Sequence, residues 1–197
     1  ATAAGNQYGA IPAADGAGGL FVAWVDEREG TADPDIYLTR VHPDGAVAPG
    51  WVAGGRAACD TVGLQLLVDV VADGAGGAIV TWVDRRSDTE YDLFARRFDA
   101  AGAPVPGWLA QGSPVSRATG DQTTPVAVAD GAGGLYVVWN DFRTGSGDIY
   151  AQHLDGAGQP VAGWDPDGNP VGAASGSQFA PQAAADPAGA DESDAVF

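Results

Sequence analysis

Short stretches dense in apolar residues alternate along the chain with clusters of Gly, Asp, Pro and Asn. Leu20 to Val25, Ala78 to Val83 and Leu135 to Trp139 are apolar on both faces of a period-two strand. That is the pattern of a strand sandwiched between sheets. Within residues 122–177 four strand signals follow one another, at 122–129, 134–141, 148–154 and, more weakly, around 169–172, each bounded by Gly, Pro, Asp or Asn. The turn between the first two begins at Asp130 and reads Asp-Gly-Ala-Gly-Gly, and that between the last two is Asp155-Gly156-Ala157-Gly158. Both supply residues that tolerate positive φ. The pattern predicts a small antiparallel sheet of four strands.

The pattern repeats. Asp-Gly-Ala-Gly-Gly starts at Asp15, Asp73 and Asp130, and a degenerate Asp-Pro-Ala-Gly-Ala starts at Asp186, at spacings of 58, 57 and 56 residues. In the first three copies a Trp follows (Trp24, Trp82, Trp139), then an Asp (Asp26, Asp84, Asp141) and an Arg (Arg28, Arg86, Arg143) at alternate positions. Next come Asp35-Ile36-Tyr37, Asp92-Leu93-Phe94 and Asp148-Ile149-Tyr150, then Gly-Trp pairs at Trp51, Trp108 and Trp164. Gln7, Gln65, Gln122 and Gln178 open units spanning 7–64, 65–121 and 122–177, with a partial unit over 178–197. The one-residue shortenings fall between the Trp-x-Asp-x-Arg and Asp-Ile-Tyr motifs, which marks a surface loop. Repetition at this period is the signature of a stacked architecture. We therefore expect an all-β fold of β-propeller blades: tandem four-stranded antiparallel sheets, about three complete repeats plus a partial one, in a single repeat domain over 1–197. Because a ring takes about four to eight blades, the propeller would be incomplete, and open blade edges would invite self-association.

Composition agrees with many turns and little helix. The 197 residues include 30 Gly, no Met and no Lys, with Glu only at Glu27, Glu29, Glu90 and Glu192. A net charge of −17 argues against nucleic acid or an anionic membrane surface as partner, since both need a Lys/Arg footprint. No apolar run is long enough for a membrane-spanning helix, and the first residues lack the charged and apolar segments of a signal peptide. The chain does not start with Met, which points to a processed or truncated N-terminus from which an export signal has been removed. A single cysteine, Cys59, cannot form an internal disulfide and reads as a small buried apolar residue.

Taken together, Gln-x-x-Pro (Gln122 to Pro125, Gln178 to Pro181), Asp-Gly-x-Gly-Gly, Trp-x-Asp-x-Arg and Asp-Ile-Tyr resemble the propeller repeats of large secreted or surface-attached bacterial proteins. More distantly the chain is similar to sialidase-type propellers, which carry a Ser-x-Asp-x-Gly-x-Thr-Trp box between strands three and four; here that turn reads Asp99-Ala100-Ala101-Gly102, with Trp108 further on. The resemblance implies an extracellular or cell-surface location.

Motifs present in every unit serve the unit. Trp24, Trp82 and Trp139 read as core, with each Asp and Arg fixing a strand-end hairpin, and Asp15, Asp73 and Asp130 as turn formers. Calcium at those turns, or at Asp165, Asp167 and Asn169 with their alternating oxygens, is the only cofactor the sequence suggests; Gly176 stands where an EF-hand would place its bidentate Glu. Catalysis would fall to residues that break the repeat: Glu27, Glu29, Asp33, Arg85, Asp88, Glu90, Tyr91, His42 and His153. A glycosidase needs two carboxylates facing one bond, and Glu27, Glu29 and Glu90 are the candidates. His153 replaces Arg40 and Arg97 of the other units and reads as a surface polar residue.

In a four-stranded up-and-down blade the Gly-rich turns share one end. The variable loops 27–34, 85–91 and 142–147, with 58–64 and 116–121, share the other. Recognition belongs on the variable end, with Arg28, Arg85, Arg86, Tyr91, Phe142 and Arg143 as contacts. The expectation is a non-catalytic module that binds a glycan or protein ligand; part of a sialidase-like glycoside hydrolase and a purely structural spacer are the alternatives.

Overall fold

A computed structural model of the chain describes residues 3–87, 89–172 and 174–184. Among these there are twelve strands and no helix, in three sheets of identical order. The first sheet holds β1 (Gln7–Ala14), β2 (Leu20–Asp26), β3 (Asp35–Val41) and β4 (Arg56–Cys59). The second holds β5 (Gln65–Ala72), β6 (Ala78–Asp84), β7 (Asp92–Phe98) and β8 (Ser113–Ser116). The third holds β9 (Gln122–Ala129), β10 (Leu135–Asp141), β11 (Asp148–Leu154) and β12 (Asn169–Gly172). Each is an antiparallel meander in sequence order, and the third-unit strands fall where the hydrophobic pattern predicts them, with β10 starting one residue later.

The sheets stack through their first strands, β1 on β5 and β5 on β9, with β2 and β6 packed on the first strand of the next sheet. These are blades of a propeller-type fold. One apolar core joins the first and second blades through Phe21, Leu38, Val70, Val80 and Phe98; another joins the second and third through Ile79, Leu93, Val115, Leu135 and Leu154. Position in the stack bears on burial: the first strand of the middle blade, β5, buries Gln65, Val68 and Val70, whereas β1, with no blade before it among the described residues, has no buried residue.

Contacts between blades recur with the repeat. Trp51 Nε1 donates to the Ala100 carbonyl at 3.1 Å, and Trp108 Nε1 donates to the Gly156 carbonyl at 3.0 Å, one blade further on. Likewise Gln65 N donates to Pro34 O (3.0 Å) and Gln122 N to Tyr91 O (2.7 Å). The glycines beside these tryptophan loops are required by close approach. A Cβ on Gly112 would collide with the Trp82 ring, and φ there is +91°.

Every first strand breaks its ladder at the same place. Gly9, Leu67 and Thr124 have φ of 64°, 52° for Thr124 and 48° for Leu67, and Ala180 follows at 58°. The pairing slips between Tyr8 and Ile11 and between Leu66 and Asp69, and opposite Val138–Asn140 in the third blade. For Leu, Thr and Ala this left-handed backbone costs on the order of 1 kcal/mol each. The bulge aims the side chains of Leu67 and Thr124 out of the stacked face, and both are exposed.

Candidate functional site

At the loop end of each blade the repeated Trp, Asp and Arg form one closed network. Trp24 Nε1, Trp82 Nε1 and Trp139 Nε1 donate to Asp26, Asp84 and Asp141 at 2.9, 3.0 and 2.8 Å. Arg28, Arg86 and Arg143 hold the same carboxylates through two nitrogens each. Each guanidinium also donates to a carbonyl of the Gly-Trp loop, Gly54 O, Gln111 O or Asp167 O, and lies over the ring of Tyr37, Phe94 or Tyr150 at 3.6, 3.8 and 3.9 Å. All three carboxylates are fully buried. Burial works to raise the Asp26 carboxyl, and the Arg28 and Trp24 bonds outweigh it, so Asp26 stays below the usual carboxylate range. A planar guanidinium committed to a bidentate pair, a carbonyl and a ring has little left for a ligand.

The opposite end is as uniform. Asp15 accepts the amides of Ala17 and Gly19, Asp73 those of Ala75 and Gly77, and Asp130 those of Ala132 and Gly134, at 2.7 to 2.8 Å. The second oxygen of Asp15 and Asp73 pairs with Arg40 and Arg97. In the third blade His153 Nε2 takes that place, 3.0 Å from Asp130, with its ring stacked on Tyr136 at 4.0 Å. His153 is only 9% exposed, so the surface position expected from its alignment is corrected. The sequence pattern missed this because burial comes from Tyr136 and Trp164, on other parts of the blade.

The other three candidate contacts have a different setting. The Arg85 guanidinium lies 5.3 Å from the ring of Tyr91, and Phe142 packs on Phe179 with centroids 6.3 Å apart. Tyr91 lines a cleft of about 440 Å³ at the bulged ends of the first strands, together with Tyr8, Ile11, Leu66, Leu67 and Thr123. Tyr8 is 43% exposed. Burial and the neighbouring Glu27, which Tyr8 hydrogen-bonds, push its hydroxyl pKa up, and Glu27 also accepts the Asn6 amide at 2.7 Å. A second hollow of about 350 Å³ continues past Leu67 and Thr124 to Ala180, Pro181 and Gln182. Tyr8, Asn6 and Leu67 were not evident as site residues from sequence. The available signal was the position after each opening Gln, which diverges as Tyr8, Leu66, Thr123 and Phe179 while its surroundings repeat.

Of the repeat-breaking acids, Glu29 and Asp33 converge on Asp35, but the three candidate Glu side chains have separate neighbours among the described residues. Glu27 neighbours Asn6 and Tyr8, Glu29 interacts with Arg28 and Asp35, and Glu90 with Asp92; no two of them share one of these neighbours. Asp33 accepts the Gly63 amide at 2.8 Å, and His42 closes a turn through its backbone. Asp88 lies outside the described residues. Raised carboxyls occur both in the repeat and outside it: burial pushes the Asp35 carboxyl up to about 7, with Asp33, Asp60, Glu29 and Asp26 adding to it, burial takes Asp92 to about 6, and burial also raises Asp69, which stands where Ile11 and Val126 stand in the other units. Cys59 is fully buried, and burial raises its thiol to about 12.

At the calcium candidate two of the oxygens are taken by backbone amides. Asn169 Oδ1 accepts the Asp165 amide at 2.9 Å, and Asp167 Oδ1 accepts the Arg117 amide at 2.7 Å. Among the described residues no group of three or more His, Cys, Asp or Glu side chains is placed to hold a metal ion. No helix among them is long and apolar enough to cross a membrane.

No family model and no curated protein matches the chain. Among solved structures it is similar to the endo-arabinase from Bacteroides thetaiotaomicron VPI-5482, with 12% identity and a TM-score of 0.41 over 87% of this chain and 58% of that one. The chain thus spans little more than half the length of that protein.

Proposed function

We propose that the chain is a non-catalytic binding module of a secreted or cell-surface bacterial protein, and that it takes a glycan in the cleft between its first strands. The observation that carries this reading is the placing of two tyrosines on one cleft, the exposed Tyr8 and the partly buried Tyr91, with the polar groups of Glu27, Asn6 and Arg85 near them beside an apolar floor. Aromatic faces with a few fixed polar groups suit a sugar ring, which has an apolar face and a polar edge. The strongly acidic, Lys-free composition supports an extracellular setting and argues against nucleic acid. A sialidase-like hydrolase is the less favoured reading, because it requires two carboxylates across one bond and the three symmetry-breaking Glu residues have separate neighbours.

The test is binding to a panel of neutral and acidic oligosaccharides, repeated with alanine at Arg85, Tyr91 and Phe142. Tyr91→Ala is expected to weaken the best ligand about tenfold without unfolding the chain. Unchanged affinity in all three variants overturns the site. Hydrolysis of the bound glycan overturns the non-catalytic reading.

A further inference from the structure

Two arginines that the repeat does not dictate meet between the first and second blades. Arg96 on β7 stands where Thr39 and Gln152 stand in the other units, and Arg56 on β4 stands where Ser113 and Asn169 stand. Those four neutral side chains all bond the residue after the Trp of their own Gly-Trp pair. Thr39 Oγ1 donates to Val52 O at 3.3 Å and Gln152 Nε2 to Asp165 O at 2.8 Å, while Ser113 Oγ and Asn169 Oδ1 accept the amides of Leu109 and Asp165 at 3.2 and 2.9 Å. The arginines leave that task. Arg96 crosses between blades, donating through Nη1 to Ala58 O at 2.9 Å, with its guanidinium 5.1 Å from the Phe98 ring centroid. It falls between Phe94 and Phe98 at period two, on the face of the second blade turned to the first. Arg56 lies across the ladder from Leu38, on the face of the first blade turned to the second.

The fold gives this pair no counter-ion. Arg28, Arg40, Arg86, Arg97 and Arg143 each hold a carboxylate, whereas neither Arg56 nor Arg96 makes an ion pair among the described residues. Arg56 has only a long contact, from Nη2 to Gly50 O at 3.5 Å. The Nε atoms of both are buried without a hydrogen-bond partner. Arg56 Nη1 and Arg96 Nη2 have no partner among the described residues either, but they are not buried, so the half-buried side chains present donors to solvent. The two charges feel each other. Burial holds the Arg96 guanidinium below the usual arginine value, Cys59 and Asp60 oppose that, and the Arg56 charge adds to the lowering. The Asp60 carboxylate is itself engaged, accepting Gln111 Nε2 at 2.8 Å. Like charges held together and donors left unfilled both cost stability, and in a chain of net charge −17 a bare cationic pair is out of keeping with its surroundings. An anion relieves both costs at once.

We propose that Arg56 and Arg96 form a second binding site, between the first and second blades, for one doubly charged tetrahedral oxyanion: phosphate or sulfate, free or as an ester on a larger molecule. Two positive charges match a dianion better than a single carboxylate, and the open nitrogens of two guanidiniums provide donors to separate oxygens of one anion. The site is separate from the tyrosine cleft, whose lining includes no residue of β4 or β7.

The test follows the arginine Nε–Hε signals of the whole, isotope-labelled chain by NMR as inorganic phosphate is added, with sodium chloride of equal ionic strength as control. Two signals, assigned through Arg56→Gln and Arg96→Gln, should move along a saturating curve with phosphate and not with chloride. Arg56→Gln gives up only the long Gly50 contact and relieves the repulsion, so its denaturation midpoint without phosphate should not fall. Its phosphate affinity should drop at least about tenfold, the size expected for losing a charged hydrogen bond. Glycerol phosphate separates the two sources: tighter binding than inorganic phosphate supports an ester on a larger ligand, and weaker binding supports the free anion. Shifts at Arg56 and Arg96 that do not saturate, or that chloride reproduces, overturn the proposal, and this titration of the parent chain decides it even where a variant fails to fold. Phosphate affinity unchanged in a folded Arg56→Gln overturns it as well.

Discussion

The two ends of each blade use charged side chains to different effect. At the turn end, Asp15, Asp73 and Asp130 make the same two amide bonds and one contact to an Arg or His side chain, three times over. At the loop end, a repeated network of Trp, Asp and Arg lies beneath loops that share neither length nor sequence, and only there do Tyr8, Tyr91 and Arg85 remain beside an open cleft. Arginine and tryptophan, the residue types most often associated with ligands, are here mainly scaffold. The residues left to bind are those the repeat does not dictate.

The largest expected effect tests the scaffold half of that contrast. Arg86→Ala leaves Asp84 fully buried with Trp82 Nε1 and the weaker Cys59 thiol as side-chain donors, and should cost about 3 kcal/mol in urea denaturation, within the range for breaking a buried pair. A loss below the level of an exposed ion pair would mean the network is not what holds the loop end together.

Next in size is a pH effect within the same loop end. Asp35 and Asp92 sit directly across the ladder from Asp26 and Asp84 without a salt bridge to an arginine among the described residues, although the Arg117 and Arg86 charges pull against the rise at Asp92. Their folded pKa values are raised, so the neutral acid is favoured by the fold. Their contribution is complete below the unfolded value of about 4 and is lost as pH rises toward 7 for Asp35 and 6 for Asp92. Asp15, held down first by the Ala17 amide, and Asp26 act in the opposite sense, and their contribution is lost as pH falls below about 4. Asp35→Asn should flatten the fall in stability between pH 5 and 8 and raise stability at pH 8 by on the order of 2 kcal/mol. Denaturation midpoints measured across that range decide it, and an unchanged profile would place the Asp35 proton elsewhere.

The smallest effect is expected at the turn end. His153→Arg restores the side chain of the first two blades opposite Asp130 but gives up the stack on Tyr136, so stability should stay within about 1 kcal/mol of the parent. A loss of several times that would show the third turn to be specialised.

Much of this was legible because it is local. Asp-Gly-Ala-Gly-Gly specifies a turn through its own amides, and alternation in Leu135 to Trp139 specifies a doubly covered strand whichever blade comes next. The roles of Trp82, Asp84 and Arg86 followed from recurrence alone. The cleft was not legible, since its lining comes from five separate strands and a loop, and Tyr8 in isolation looks like any strand tyrosine. Nor was the burial of His153, which depends on a ring stacked from the neighbouring strand and another from the following loop.

The sequence by itself determined the all-β repeat, the strand positions, the turn chemistry and the division between stereotyped and variable ends, because each depends on residues within one or two turns of each other. Only the tertiary structure decided which arginines are already occupied, which carboxyls lose their water and where the first strands bulge. Those properties are sums over neighbours from different blades, and the stacking of one sheet on the next sets them.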